Sequence, residues 1–159
     1  MNKIKVGIVG AGNISKAHLD GYRANPKVEL AAICDIHEER ARNRAAEYDI
    51  PAVYTDYRQM MKDEGIDAIS VCTWNNAHAR ISIEALKNGK NVLCEKPLSM
   101  NVEEALEIEK AVKESGKVFQ VGFVRRYDSR TKMFKEFIDG GDIGEIYYAK
   151  TTCMRRYGN

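Results

Sequence analysis

The sequence predicts an α/β fold, a parallel sheet with helices wound on both of its faces, from three observations. Short apolar runs alternate with amphipathic, helix-period segments along most of the chain. One run, Ala68–Cys72, is almost continuously apolar, as is typical of a parallel strand buried on both faces. A glycine-rich turn, Gly10-x-Gly12, separates the first apolar run from the first helical segment. Together these features predict repeated βαβ units.

Six strands and six helices are expected in alternation. The predicted strands are Ile4–Val9, Leu30–Cys34, Ala52–Tyr54, Ala68–Cys72, Asn91–Cys94 and Val118–Val121. The predicted helices are Ile14–Ala24, Glu38–Tyr48, Tyr57–Lys62, Ala77–Asn88, a long helix from Asn101 to Ser115, and Ser129–Asp139. The long helix begins with Asn101-x-x-Glu104, which resembles a capping box. Right-handed crossovers would place these helices on both faces of the sheet.

Composition and charge narrow the classes of partner. The 159 residues carry 25 basic and 23 acidic side chains, a net charge of +2, which argues against nucleic acid or an anionic membrane as the partner. No segment is apolar for long enough to span a membrane, and the N-terminal apolar run is too short for a signal peptide.

The four cysteines, Cys34, Cys72, Cys94 and Cys153, include no C-x-x-C pair, so no metal site or redox motif is expected. Three of them close apolar runs, which predicts buried, reduced thiols and a cytoplasmic setting.

The C-terminal part departs from the alternation. The segment Ile146–Met154 is predicted as one long strand, and nothing follows that would pair with it or cover it. A long exposed strand edge is a liability. We therefore expect a nucleotide-binding domain over residues 1–122. Residues 123–159 would then form a junction helix and the first strand of a missing α+β substrate domain.

The glycine-rich turn points to a dinucleotide. In Gly10-x-Gly12-x-x-Ser15, Gly10 permits the tight turn and Gly12 lets the backbone approach a pyrophosphate at the helix N-terminus. Ser15 is small enough for the third position, where helix meets strand. Asp35 ends the second predicted strand 23 residues after Gly12, where a carboxylate accepts hydrogen bonds from the adenosine ribose and repels a 2′-phosphate. NAD is therefore favoured over NADP, although a flexible turn and a helix-capping aspartate are the plainer alternatives.

Three further polar stretches follow the later strands. They are Thr73–His78 with Cys72 before it, Glu95-Lys96-Pro97, and Gly122-Phe123-Val124-Arg125-Arg126. Ligands of doubly wound sheets bind beyond the carboxyl ends of the strands. We therefore expect these stretches to face the nicotinamide half of a bound dinucleotide.

Together with the turn, these stretches resemble the Gfo/Idh/MocA oxidoreductases, the glucose–fructose oxidoreductase and inositol dehydrogenase family, over nearly the whole chain. The most specific part is Glu95-Lys96-Pro97 after an apolar strand. The resemblance implies that Lys96 is the catalytic residue, in contact with the nicotinamide ribose and the reacting hydroxyl, and that Pro97 follows a cis peptide bond. The family's T-P-N-x-x-H motif appears as Thr73 to His78, with Trp74 in place of the proline.

The resemblance to this family, read with the glycine turn, gives a set of expected cofactor contacts. The set comprises Gly10, Gly12, Asn13, Ile14, Asp35, Arg40, Thr73, Trp74, Asn75, His78, Glu95, Lys96 and Pro97.

Several of these residues have a structural alternative. His78 is either a cofactor-loop contact or a structural residue at a helix start, and Glu95 either orients Lys96 or is a solvated loop residue. Arg40 lies over the adenine or is an exposed helix residue. Trp74 stacks near the nicotinamide or fills a domain interface.

Three more polar residues fall outside the expected contacts. Arg126 binds an anionic substrate group or ties down the domain junction. His18 and His37 are interpreted as ordinary helix residues.

The resemblance implies a function for the longer protein. It would be an NAD-dependent dehydrogenase of a sugar, cyclitol or polyol, with the proton-transfer partner and a homo-oligomer interface in the missing domain. The 159-residue chain alone is expected to be inactive. The alternatives are an NAD-dependent glycosidase that uses transient oxidation and a non-catalytic nucleotide-binding domain.

Overall fold

The computed structural model describes residues 3–154 and consists of one parallel sheet with helices on both faces, followed by a short helical unit. The strands are β1 (Ile4–Val9), β2 (Val28–Cys34), β3 (Ala52–Tyr54), β4 (Ala68–Val71), β5 (Asn91–Cys94) and β6 (Phe119–Val121). The helices are α1 (Asn13–Arg23), α2 (Glu38–Tyr48), α3 (Tyr57–Met61), α4 (His78–Lys87), α5 (Val102–Ser115) and α6 (Ser129–Asp139). The six strands and six helices predicted up to Asp139 are confirmed, with ends that differ by at most two residues.

The strand order is β3-β2-β1-β4-β5-β6, and all neighbouring strands are parallel. The chain therefore winds outward in one direction from β1 to β3 and in the other from β4 to β6. The change of direction falls between β1 and β4, which is the switch point where open α/β sheets bind ligands. The predicted doubly wound Rossmann fold is confirmed.

Two hydrophobic clusters lie on opposite faces of the sheet, because successive side chains of a strand point to opposite sides. Ile8 of β1 belongs to the cluster that contains Leu19 of α1, whereas Val9 belongs to the cluster that contains Leu86 of α4. The same alternation places Ser70 of β4 on the α1 side of the sheet. The face of the sheet to which each strand residue points therefore decides which polar side chains contact α1.

Helix ends follow from local chemistry. The side chain of Asn101 accepts a hydrogen bond from the Glu104 backbone N–H at 2.8 Å, and the Glu104 carboxylate accepts from the Met100 N–H at 2.9 Å. The predicted capping box of α5 is thus present, except that Glu104 accepts from the N–H of Met100, one residue before the N-cap Asn101. Gly116 ends α5 in a left-handed conformation, with φ of 64°.

The chain divides into two compact units between Gly122 and Phe123. In the second unit a 3₁₀ turn, Val124–Tyr127, precedes α6, whose first turn is capped by the Asp128 carboxylate. Arg125 and Arg126 lie in that 3₁₀ turn. Residues 155–159 of the predicted second domain lie outside the described residues.

The predicted strand over Ile146–Met154 is not present, and the structure assigns no regular secondary structure to this segment. A strand is stabilised by hydrogen bonds to a neighbouring strand, and no described segment pairs with this one. The alternating apolar pattern shows only that the segment would suit a sheet edge.

Candidate functional site

The turn between β1 and α1 requires glycine at Gly10. Its φ is +97°, a conformation that L side chains rarely adopt, and a Cβ there would lie 2.4 Å from the Cys72 carbonyl oxygen. The Gly10 N–H donates to the Cys34 carbonyl at 2.7 Å. The turn therefore packs against the carboxyl ends of both β2 and β4, and it joins the two halves of the sheet at the switch point.

Gly12 precedes α1 as its N-cap and leaves an open cradle. A Cβ on Gly12 would meet nothing within 4 Å. No side chain caps the helix and its first turn carries no acidic residue, so the first backbone N–H groups remain available to an anion. Asn13 and Ile14 begin the helix on this exposed surface, whereas Ser15 is fully buried and donates to the Gly12 carbonyl at 2.7 Å. This geometry fits the pyrophosphate of a dinucleotide.

Asp35 directly follows β2 and ties two loops together. One carboxylate oxygen accepts from the Ala11 N–H at 2.8 Å and the other from the His37 N–H at 2.9 Å. The Arg40 guanidinium lies 3.7 Å from the same carboxylate, which is 7% exposed as a residue. The alternative prediction that Asp35 is a helix-capping aspartate is therefore correct in part, because its carboxylate accepts a hydrogen bond from the residue directly before α2. Each oxygen retains a lone pair for a ribose hydroxyl.

A pocket of about 480 Å³ opens beside Asp35, between α2 and the glycine-rich turn that follows β1. Its walls include Ala11, His37, Arg40, Arg44 and Glu47. Arg44 Nε is buried and has no hydrogen-bond partner among the described residues. This mixed-charge pocket lies beside Asp35 and Arg40, which the sequence analysis expects to contact the adenosine half of a dinucleotide.

The loop after β4 is braced by His78. Its Nδ1 lies 2.6 Å from the Pro97 carbonyl and its Nε2 lies 3.1 Å from the Thr73 carbonyl. His78 is 1% exposed at the start of α4, so of the two predicted roles the structural one is present: it holds the β4 loop against the β5 loop. Trp74 is 82% exposed, and Asn75 is exposed in a 3₁₀ turn.

The loop after β5 carries Glu95, Lys96 and Pro97. Glu95 is 6% exposed, so its interpretation as a solvated loop residue is wrong. Its carboxylate accepts from the Lys96 backbone N–H at 3.2 Å, and the Lys96–Pro97 peptide bond is cis. The Lys96 side chain is exposed, and among the described residues no carboxylate pairs with its ammonium group. The buried glutamate thus fixes the backbone from which the exposed lysine projects.

A buried network of hydrogen-bonded polar side chains extends from Glu95 to α1. His18 Nε2 lies 3.0 Å from the Glu95 carboxylate, and His18 Nδ1 lies 3.3 Å from the Ser70 hydroxyl. The Tyr22 hydroxyl lies 2.6 Å from the same Ser70 oxygen, and burial raises the pKa of Tyr22. The interpretation of His18 as an ordinary helix residue is wrong, because its side chain crosses to β4 and β5. His37, by contrast, caps α2 through its backbone.

This hydrogen-bonded network was not predicted from the sequence, although one signal for it was present. Ser70 is the single polar residue in the apolar run of β4, and it is fully buried. A buried hydroxyl needs a hydrogen-bond partner. The period of α1 places His18 and Tyr22 four residues apart, on one face of the helix.

Buried thiols precede both strand-end carboxylates. Burial, reinforced by Asp35, raises the pKa of Cys34 to about 12, and burial raises the pKa of Cys94 to about 11. Cys72 is also buried, whereas Cys153 is exposed. All four are free, and the described residues contain no cluster of His, Cys, Asp or Glu that could hold a metal ion.

The model of the Gfo/Idh/MocA oxidoreductases, described as an oxidoreductase family with an NAD-binding Rossmann fold, matches residues 4–123. The chain belongs to this family. The match covers all six strands and the five helices between them, and therefore every loop described above.

Individual relatives of known sequence or structure agree with the family assignment. The chain is 37% identical over 150 residues to the uncharacterized oxidoreductase YrbE of Bacillus subtilis, covering 94% of this chain and 44% of the relative. It is 30% identical over 149 residues to the myo-inositol 2-dehydrogenase of Thermotoga maritima, covering 94% and 45%.

A crystal structure of scyllo-inositol dehydrogenase from Lactobacillus casei, with bound NAD(H) and scyllo-inositol, superposes with a TM-score of 0.86 at 27% identity. It covers 91% of this chain and 43% of that one. The chain thus spans less than half the length of these relatives.

Within the first unit of this family member, the expected site residues gather at one edge of the sheet. Gly10, Asp35, Thr73 and Glu95 follow β1, β2, β4 and β5, whose carboxyl ends meet at that edge because the strands are parallel. Arg125 and Arg126 belong to the second unit, which is described by itself. No helix in residues 3–154 has both the length and the apolar character needed to cross a membrane.

Proposed function

We propose that the whole protein is an NAD-dependent dehydrogenase that moves a hydride between the nicotinamide and a secondary hydroxyl of a cyclitol, sugar or polyol. The observation that carries this proposal is the open, uncapped start of α1 at the switch point, at the same carboxyl edge of the sheet as the loop with Lys96. The family assignment supports it, as do the inositol dehydrogenases of Thermotoga maritima and Lactobacillus casei described above. We place the nucleotide-binding domain at residues 1–122, which agrees with the division of the chain at Gly122.

The adenosine half of the cofactor would lie over β1 and β2. The backbone of Gly12, Asn13 and Ile14 binds the pyrophosphate through the free N–H groups of α1. Asp35 accepts hydrogen bonds from the ribose hydroxyls, and Arg40 lies beside the adenine in the neighbouring pocket. The buried carboxylate disfavours a 2′-phosphate, which gives the preference for NAD over NADP.

The nicotinamide half would lie over β4 and β5. Thr73, Trp74 and Asn75 bound it on one side, and Glu95 to Pro97 on the other, with His78 holding the two loops together. Bound there, NAD supplies the hydride-accepting carbon of the reaction. Lys96 is the residue that we assign to chemistry: its exposed ammonium group holds the substrate oxygen and stabilises negative charge on it.

The remaining parts of the active site are proposed to lie in the length of the relatives that the chain does not span. These are the substrate pocket, the proton-transfer partner and the homo-oligomer interface. The three buried free cysteines support a reducing, cytoplasmic setting. We expect the 159-residue chain to bind NAD without turning over any polyol, because orientation and exclusion of water by a second domain contribute several kcal/mol, on the order of 5 or more, to such reactions.

Turnover tests the proposal directly. A version with the full length of the relatives is incubated with NAD and a panel of cyclitols, sugars and glycosides while NADH absorbance is followed. Net NADH formation is expected, whereas glycoside cleavage without net redox change would indicate the glycosidase alternative. Lys96→Ala should lower kcat and kcat/KM together with little change in NAD affinity. The matched control is Lys87→Ala, at an exposed position of α4, and equal turnover in both variants would exclude Lys96 from catalysis.

A further inference from the structure

We propose that Glu95 is a fixed negative charge that makes the site bind NAD⁺ more tightly relative to NADH. The inference rests on the proposed function, and it adds a residue that discriminates between the two redox forms of the cofactor. Three features carry it: the burial of the carboxylate, the direction of its hydrogen bonds and its place in the sheet.

The Glu95 carboxylate is held in one position. Its side chain is 8% exposed, one oxygen faces His18 Nε2 at 3.0 Å, and the other accepts from the Lys96 N–H at 3.2 Å. A Cβ on Gly122 would come within 3.1 Å of the first oxygen, so the glycine leaves just enough room for the carboxylate. Contacts on three sides remove the freedom of the side chain to swing into solvent.

The distances allow an assignment of hydrogen-bond directions in which every donor meets an acceptor. In this assignment, which is part of the proposal, the Tyr22 hydroxyl donates to Ser70, the Ser70 hydroxyl donates to His18 Nδ1, and His18 Nε2–H donates to Glu95. The imidazole then carries one proton, and the Glu95 carboxylate accepts from both of its neighbours. The network therefore satisfies the hydrogen-bonding capacity of Glu95 without cancelling its charge.

Apart from His18, no basic side chain described in the first unit lies within ion-pair distance of this carboxylate. Among residues 3–154, His18 is the single basic side chain within ion-pair distance of Glu95. Asp35 differs, because the guanidinium of Arg40 lies 3.7 Å from it. A buried charge without a counter-ion is costly, so it attracts any cation that comes close in the low-dielectric edge of the sheet.

The cofactor brings such a cation to this edge. Glu95 follows β5, on the β4–β6 side of the switch point, and its side chain points to the α1 face that carries the pyrophosphate cradle. The nicotinamide half of a bound dinucleotide lies on that side. The nicotinamide ring is cationic in NAD⁺ and neutral in NADH, so a fixed carboxylate nearby stabilises NAD⁺ selectively.

Glu95→Gln tests this inference, because it removes the charge and keeps the shape. The affinities of the 159-residue chain for NADH and, by competition, for NAD⁺ are measured for the wild type, Glu95→Gln and the control Glu107→Gln on the exposed side of α5. Glu95→Gln should weaken the binding of NAD⁺ about fivefold to tenfold more than the binding of NADH. Glu107→Gln should leave the ratio of the two affinities unchanged within about twofold.

The outcomes separate the two proposals. If Glu95→Gln binds both forms and their ratio equals that of the wild type, the charge proposal is overturned and the proposed function stands. Equal losses for both forms would assign Glu95 a purely structural role, which also overturns it. If the wild type binds neither NADH nor NAD⁺, the proposed function fails and this inference with it.

A second measurement needs no variant and remains informative if Glu95→Gln does not fold. The ¹⁵N shifts of His18 in the wild-type chain should identify a proton on Nε2. They should change more on saturation with NAD⁺ than with NADH, because a cation near the carboxylate weakens its hydrogen bond to the imidazole. A proton on Nδ1, alone or together with one on Nε2, or equal changes with both forms, would contradict the inference.

Discussion

Asp35 and Glu95 are buried carboxylates at equivalent places on opposite sides of the switch point, and they are held in different ways. Each directly follows a parallel strand and a buried cysteine. The oxygens of Asp35 accept from two backbone N–H groups in two different loops, those of Ala11 and His37. Glu95 accepts from one backbone N–H group and from the side chain of His18.

This difference shows how one position in a fold can serve two purposes. Two backbone donors cannot adjust if Asp35 is replaced, so its first task is to hold the loops that surround the adenosine pocket. The partner of Glu95 is a histidine, which can move its proton from one nitrogen to the other. We therefore expect the fold to tolerate removal of the negative charge at Glu95 better than removal of the negative charge at Asp35.

The largest expected effect is at Gly10, which joins the two sides. Gly10→Ala places a Cβ 2.4 Å from the Cys72 carbonyl at a positive φ. We expect it to lower the free energy of unfolding by about 3 kcal/mol or more, from backbone strain and overpacking together. Urea denaturation followed by circular dichroism measures this change.

Gly12→Ala is the matched control, because a Cβ there meets open space. Its free energy of unfolding should stay within about 0.5 kcal/mol of the wild type. Its affinity for NADH should fall, since the methyl group occupies the cradle. A Gly12→Ala chain that binds NADH as the wild type does would place the pyrophosphate elsewhere.

Paired amide substitutions sharpen the comparison of the two carboxylates. Asp35→Asn turns an NH₂ group toward a backbone N–H, whereas Glu95→Gln turns one toward His18, which can accept by changing tautomer. We expect Asp35→Asn to cost about 1–3 kcal/mol of stability and Glu95→Gln less than about 1 kcal/mol. Equal costs in the same denaturation assay would contradict the distinction drawn between the two sites.

The cysteines before these carboxylates give a prediction for alkaline pH. Burial raises the pKa of Cys34 to about 12 and that of Cys94 to about 11 in the folded chain, above the value of about 8.5 expected for an unfolded thiol. Unfolding then releases protons, so stability is fully present below about pH 8.5 and falls as the pH rises toward 11. The slope should reach about 1.4 kcal/mol per pH unit for each buried thiol.

Thiol reactivity checks the same burial at a single pH. At pH 8 a disulfide reagent such as Ellman's reagent should react rapidly with Cys153, and with the other three cysteines only after unfolding. Rapid reaction of two or more thiols in the folded chain would show that a strand-end cysteine is accessible.

The smallest expected effect lies far from either carboxylate, at the start of α5. Asn101→Ala removes the bond from the Glu104 N–H and should cost about 1 kcal/mol, the usual value of an N-cap. NADH affinity should stay unchanged. A change in affinity would mean that α5 is coupled to the cofactor site.

The order and type of the elements could be predicted from the sequence because hydrophobic period and turn residues are local signals. The glycine turn and Asp35 could be placed for the same reason, through their spacing within one βαβ unit. The partners of Glu95 could not, since His18 and Ser70 are distant from it in sequence and meet it only through the sheet order β1-β4-β5.

One other prediction failed for a physical reason that also depends on tertiary structure. The strand predicted at Ile146–Met154 depends on a partner strand, which no local pattern supplies.

An amide chemical-shift map tests most directly that one dinucleotide lies across both halves of the sheet. Saturating the ¹⁵N-labelled chain with NAD⁺ should shift the amides of Gly12, Asn13 and His37 on one side and of Thr73 and Lys96 on the other. AMP, which carries the adenosine half alone, should shift His37 and Asn13 and leave Lys96 unchanged. Shifts at Lys96 with AMP, or unchanged amides at Gly12 with NAD⁺, would contradict the account.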